Sequence, residues 1–213
     1  MAMVVSDFAD ALKSSLGFGA FATSSQNTGL AKAVIDEMQA ALVNNAPGTI
    51  TGVAPSSGGP LINGAGTLGL ITGMTPVSLA ARMIAEMGFA FPSPEVIQMA
   101  TAICTHLQTT GSVSFAPGNI TGNCTNTPVS PGALIGEGTG GMIVNLSGPV
   151  LAALIAISYG GIVSPELLSF SNAFVNYIMS NAEVTYATGT VTGTCSAGGG
   201  PIIAGTGVGG LIA

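Results

Sequence analysis

Gly48-Thr49-Ile50-Thr51-Gly52-Val53-Ala54 returns as Gly118-Asn119-Ile120-Thr121-Gly122-Asn123-Cys124 and again as Gly189-Thr190-Val191-Thr192-Gly193-Thr194-Cys195, at spacings of 70 and 71 residues. A second phrase follows each copy: Gly64-Ala65-Gly66-Thr67-Leu68-Gly69, Gly136-Glu137-Gly138-Thr139-Gly140-Gly141 and Gly205-Thr206-Gly207-Val208-Gly209-Gly210. A fixed period of this length marks a repeat architecture and has to be read before any local pattern. The chain is a triplicated unit, divided at residues 1–73, 74–145 and 146–213. A feature found three times at one place in a repeat is explained by folding, whereas a reactive site is ordinarily unique.

Upstream of each pair of phrases lie two helical stretches. Ser6 to Leu16, Pro76 to Met87 and Pro149 to Ser158 are each followed by a glycine, Gly17, Gly88 or Gly160, as expected past a helix C-terminus. Ser93-Pro94-Glu95 and Ser164-Pro165-Glu166 start the second helices of units two and three, with serine as cap, proline in the first turn and glutamate at the positive end of the dipole. Unit one lacks that signature, which places the start of its second helix near Leu30. Alternating stretches such as Ser112-Val113-Ser114-Phe115 and Glu183-Val184-Thr185-Tyr186 suit strands. The expected fold is α+β: three tandem helix–helix–strand–strand repeats of about 70 residues sharing one core, pseudo-threefold or stacked.

Composition narrows the function. At 213 residues and 47% hydrophobic the chain can bury a core, yet only 6% of it is charged, against roughly 25% in an ordinary soluble protein. Lys13, Lys32 and Arg82 are the only cations, and His106 is the single histidine. A net charge of −6 with three cations excludes the basic stripe that nucleic-acid binding needs, and equally an electrostatic hold on anionic lipid. A surface this poor in charge is expected either to be made largely of Gly, Ser, Thr, Asn and Ala or to be covered by a partner, in an oligomer, filament, shell or membrane. The N-terminus shows neither the basic nor the apolar segment of a secretory signal, so the expectations are a protein that stays inside a cell, belongs to a virion, is exported by another route, or begins after a processed leader.

The remaining motifs have structural explanations. Gly-x-Gly-x-x-Gly occurs at Gly64/Gly66/Gly69, Gly136/Gly138/Gly141 and Gly205/Gly207/Gly210, but the third copy stops three residues before Ala213, leaving no room for a phosphate-binding helix. Turns or closely packed strands account for it. The apolar run from Met142 to Ile157 is split by Gly148-Pro149, and its counterparts in the other units are charged, so a buried or interface helix is expected rather than a membrane span. Cys124 and Cys195 share a repeat position with Ala54 and read as a small buried site, reduced by default, with a disulfide left open. Cys104 and His106 offer no metal or nucleophilic set, since no third group is indicated by spacing. The carboxylates fall at helix ends and faces, except Glu137, which has no structural account. Three matches to the N-glycosylation acceptor pattern, at Asn119, Asn123 and Asn145, carry little weight in so Asn- and Thr-rich a chain.

The expectation is a self-assembling structural subunit of a filament, tube or virion component, without catalysis, cofactor or metal, and with itself as partner. Leu151, Leu154 and Ile155 and the nine glycines of the Gly-x-Gly-x-x-Gly phrases would form the assembly interface, by helix docking and edge pairing of hairpins. A membrane-associated or pore-forming protein, and a small-ligand binder with a pocket at the repeat junctions, are the alternatives. The site of assembly is expected to be a virion or an extracellular filament, with cytoplasmic assembly open.

Overall fold

The computed structural model describes residues 2–15, 24–88 and 93–213. Its elements run α1 (Val5–Ser15), α2 (Ser25–Ala40), β1 (Leu42–Ala54), β2 (Gly59–Pro60), β3 (Ile62–Thr72), α3 (Pro76–Met87), α4 (Pro94–Thr109), β4 (Ser112–Cys124), β5 (Gly132–Val144), α5 (Gly148–Ser158), α6 (Pro165–Asn181), β6 (Glu183–Cys195) and β7 (Gly200–Ile212). Ser93 and Ser164 cap α4 and α6 by accepting from the N–H groups of Val96 and Leu167, and Thr75 caps α3 in the same way. Each such cap stabilises its helix by about 1 kcal/mol. α2 starts at Ser25 rather than near Leu30, because Ser24 supplies a cap that accepts from Asn27 N–H. Gly88 ends α3 at φ 74°; the corresponding Gly17 lies outside the described residues.

The chain divides into two compact units. One comprises Met1–Ala41, Gly73–Gly111 and Asn145–Ala182, and the other Leu42–Thr72, Ser112–Val144 and Glu183–Ala213. The first holds the helices. α1 touches α2, α2 touches α3, and so on to α6, which touches α1, closing a cycle.

The second unit holds the strands. β4, β3, β1, β7, β6 and β5 pair in that order, all antiparallel, and β5 pairs back onto β4. This is a closed six-stranded barrel, with β2 an extra two-residue strand on β4. The expectation of three repeats sharing one core, pseudo-threefold or stacked, is therefore overturned: the helix pair and the hairpin of one repeat fall into different units. A two-stranded hairpin is marginal alone, and closing three of them on one another buries their apolar faces and removes the open edges.

The barrel shows why the glycine phrases recur. Val43, Val113 and Val184 are buried at one level of β1, β4 and β6, and Ile50, Ile120 and Val191 at another. Between them the repeat diverges to Asn45, Phe115 and Tyr186, all buried. The Phe115 and Tyr186 rings lie 5.3 Å apart, and the Tyr186 hydroxyl donates to Asn45 Oδ1 at 2.8 Å. A Cβ on Gly141 would stand 2.4 Å from the Phe115 ring, and one on Gly207 2.8 Å from that of Tyr186. Glycine there gives the aromatic rings their space.

Leu68, Gly140 and Gly209 share one repeat position and all have positive φ, at 56°, 65° and 72°. Leucine is strained in this region, by roughly 1–2 kcal/mol. Leu68 is exposed, so little packing is lost on its removal. Leu68→Gly is expected to raise the unfolding free energy by about 1 kcal/mol in urea denaturation, despite glycine's greater chain entropy.

Candidate functional site

Polar groups buried in the helical unit hold its helices together. Glu37 on α2 accepts from Thr75 N–H (3.1 Å), Ser78 Oγ (2.7 Å) and Arg82 Nε (2.9 Å), all belonging to α3 or its cap. His106 on α4 accepts from the N–H of Ser147, the N-cap of α5, at 3.2 Å. Tyr177 on α6 accepts from Val4 N–H and donates to Val4 O, both at 2.7 Å, just before α1. These three residues lie 69 and 71 residues apart. Three chemically different side chains thus perform one task, tying the second helix of each repeat to the start of the next pair. Glu37, expected on a solvated helix face, is instead buried, because the Thr75 N–H, the Ser78 hydroxyl and Arg82 compensate its charge.

His106 bears on pH. Since Nε2 accepts from Ser147, the ring proton sits on Nδ1, which is buried without a partner. Burial pushes the imidazole below its ordinary value. The unfolded chain then takes up a proton near pH 6.5 that the folded chain refuses, so stability falls as pH drops from about 6.5 toward the depressed folded value. The slope is at most about 1.4 kcal/mol per pH unit. Urea midpoints measured between pH 7 and pH 5 should show this fall, and His106→Gln should flatten it. Glu95 and Glu166, held low by backbone and N-cap hydrogen bonds, titrate in a separate window below about 4.5.

Burial, with a contribution from the Glu37 charge, pushes the Cys104 thiol up to about 12, so it carries almost no thiolate at neutral pH. Among the described residues no group of three or more His, Cys, Asp or Glu converges. Cys124 and Cys195, read as reduced by default, form a disulfide with Cα atoms 5.9 Å apart. Beside them Asn126, also buried, donates from Nδ2 to Pro55 O at 2.8 Å and Ser196 O at 2.9 Å. One side chain of the second repeat thus ties together the matching loops of all three. No sequence pattern distinguishes Asn126 from its neighbours.

Most of the residues expected to form an assembly interface pack against other parts of the chain. Leu151 and Ile155 are fully buried and Leu154 is half-buried. Gly64, Gly136 and Gly205 abut the backbone of adjoining strands, while Gly66, Gly69, Gly138, Gly141, Gly207 and Gly210 abut barrel side chains. Hairpin edge pairing has no free edge among the six barrel strands. Large apolar side chains do face solvent: Val77 is 78% exposed, Ile157 75%, and Val129 and Ile162 90% each. On the barrel, exposed Leu42 stands opposite exposed Leu211, while exposed Leu70 pairs with Asn44, two residues along β1. No helix among the described residues is long and apolar enough to cross a membrane.

Glu137 lies in a groove of about 420 Å³ with Thr121, Asn123, Ile135 and Thr188, over Gly122 and Gly136. Thr188 Oγ1 donates to Glu137 Oε2. The groove joins β4 and β5 of the second repeat to β6 of the third. At the other two junctions the positions of Asn123, Glu137 and Thr188 are held by Val53, Ala65 and Pro117, and by Thr194, Thr206 and Pro47. The repeat period alone could have revealed this divergence. No protein-family model, curated protein or solved structure matches the chain.

Proposed function

We propose that this protein is a structural subunit that assembles with copies of itself into a filament, tube or virion component. The observation that carries the reading is the exposed apolar surface, above all Leu42 on β1 and Leu70 and Leu211 on the strands to either side of it, β3 and β7. A chain with only twelve charged residues has little else with which to keep such a surface wet. Covering it releases about 25 cal/mol per Å² of apolar area, and contacts between unlike faces of like subunits generate rings or open helices. The buried disulfide supports assembly in an oxidising setting, hence a virion or extracellular filament.

The test is negative-stain electron microscopy beside analytical ultracentrifugation, without detergent. Regular large particles are expected from the wild type. Leu70→Lys/Leu211→Lys, which leaves both units' buried residues untouched, should sediment as small species. A wild type that stays monomeric at every concentration overturns the proposal.

A further inference from the structure

We infer that the Glu137 groove is a binding site for a hydroxyl-rich, uncharged or amine-bearing ligand, of the class of mono- and disaccharides. Three junctions of the barrel are built on one plan, and only one presents a carboxylate, an amide and two hydroxyls together. Packing does not account for the difference, because Val53, Ala65 and Pro117 satisfy the same strand positions at the first junction.

The chemistry of the lining selects the ligand. Glu137 offers acceptors only, Asn123 both donates and accepts, the Thr121 hydroxyl does both, and Thr188, whose hydroxyl proton goes to Glu137, accepts. A bare cation would use the acceptors and leave the Asn123 amide N–H groups idle, whereas ligand hydroxyls engage both kinds. Exposed Ile135 supplies an apolar wall for the C–H face of a ring. Gly122 and Gly136 form the floor, and the groove volume falls in the range of small-molecule sites. Charge sets the remaining limit. Glu137 and Glu183 are the only charged residues of the barrel unit, and all three cations belong to the helical unit. Phosphorylated, sulfated and carboxylate-bearing sugars would meet a carboxylate with no cation in its unit and are excluded from the site.

The experiment is titration of the ¹⁵N-labelled 213-residue chain with a panel of neutral and amino mono- and disaccharides, their sulfated and uronic-acid counterparts, and calcium chloride. Millimolar binding is expected for at least one neutral or amino sugar, with amide shifts confined to residues 121–123, 135–137 and 188. Acidic sugars should give none. Glu137→Gln should weaken the response about tenfold, as for a charge-assisted hydrogen bond. Asn123→Val/Thr188→Pro installs residues that the first junction already carries, so it should abolish binding while leaving circular dichroism and the urea midpoint unchanged. Shifts distributed over all three junctions, a response to calcium alone, or no response from the neutral and amino sugars would each overturn the inference.

Discussion

Gly64→Ala is expected to lower the unfolding free energy by about 3 kcal/mol, the size of effect seen when an atom is forced into a closed contact. A Cβ at this position would lie 2.1 Å from Ile120 O and 2.6 Å from Leu61 Cδ2. The first of these is backbone on β4, paired with Gly64 in the barrel ladder, so no rotamer change relieves it. β3 and β4 must separate locally or give up that pairing. Equilibrium urea denaturation measures the loss. Gly136→Ala and Gly205→Ala should behave alike, since their Cβ atoms would meet Thr121 O at 2.3 Å and Ile50 O at 2.4 Å. Gly48 has open space and φ 87°, so Gly48→Ala pays only the left-handed strain, about 1 kcal/mol. Equal losses at Gly64 and Gly48 would contradict close strand approach as the reason for the repeated glycine.

Removing the disulfide is expected to cost about 4 kcal/mol, the loop-closure entropy of a cross-link spanning 71 residues. Cys124→Ala/Cys195→Ala is a clean test, because Ala54 already occupies the equivalent place and is buried there. The double variant leaves only a small cavity, so most of the loss reports the cross-link. Denaturation with and without a thiol reductant should show the wild type falling to the level of the variant and the variant unchanged. Since both sulfur-bearing residues are buried, reduction should proceed only as fast as the barrel opens. A variant with the wild-type urea midpoint would remove the disulfide from the account of stability.

The local elements were legible because their causes are local. Ser93-Pro94-Glu95 and Ser164-Pro165-Glu166 satisfy the first turns of α4 and α6 with their own side chains, and the period of the glycine phrases is visible by comparison of the chain with itself. Where the cause was a single serine, at Ser24, the weaker signal misplaced the start of α2. The groove at Glu137 was half legible. The carboxylate stood out as unexplained, but its neighbours Asn123 and Thr188 come from β4 and β6, and only the strand pairings bring them to Glu137.

Sequence alone was enough for the triplication, the helix caps and the shortage of charge, since these depend on residue identity and short-range geometry. Tertiary structure decided how the repeats combine. An apolar strand face is satisfied equally by its own repeat's helices or by other hairpins, and nothing within 70 residues of chain distinguishes the two. Ring closure decided it, by giving every barrel strand two neighbours. The same closure set Gly64, Gly136 and Gly205 against the backbone of neighbouring strands. It also brought Cys124 to Cys195, and left Leu42, Leu70 and Leu211 exposed.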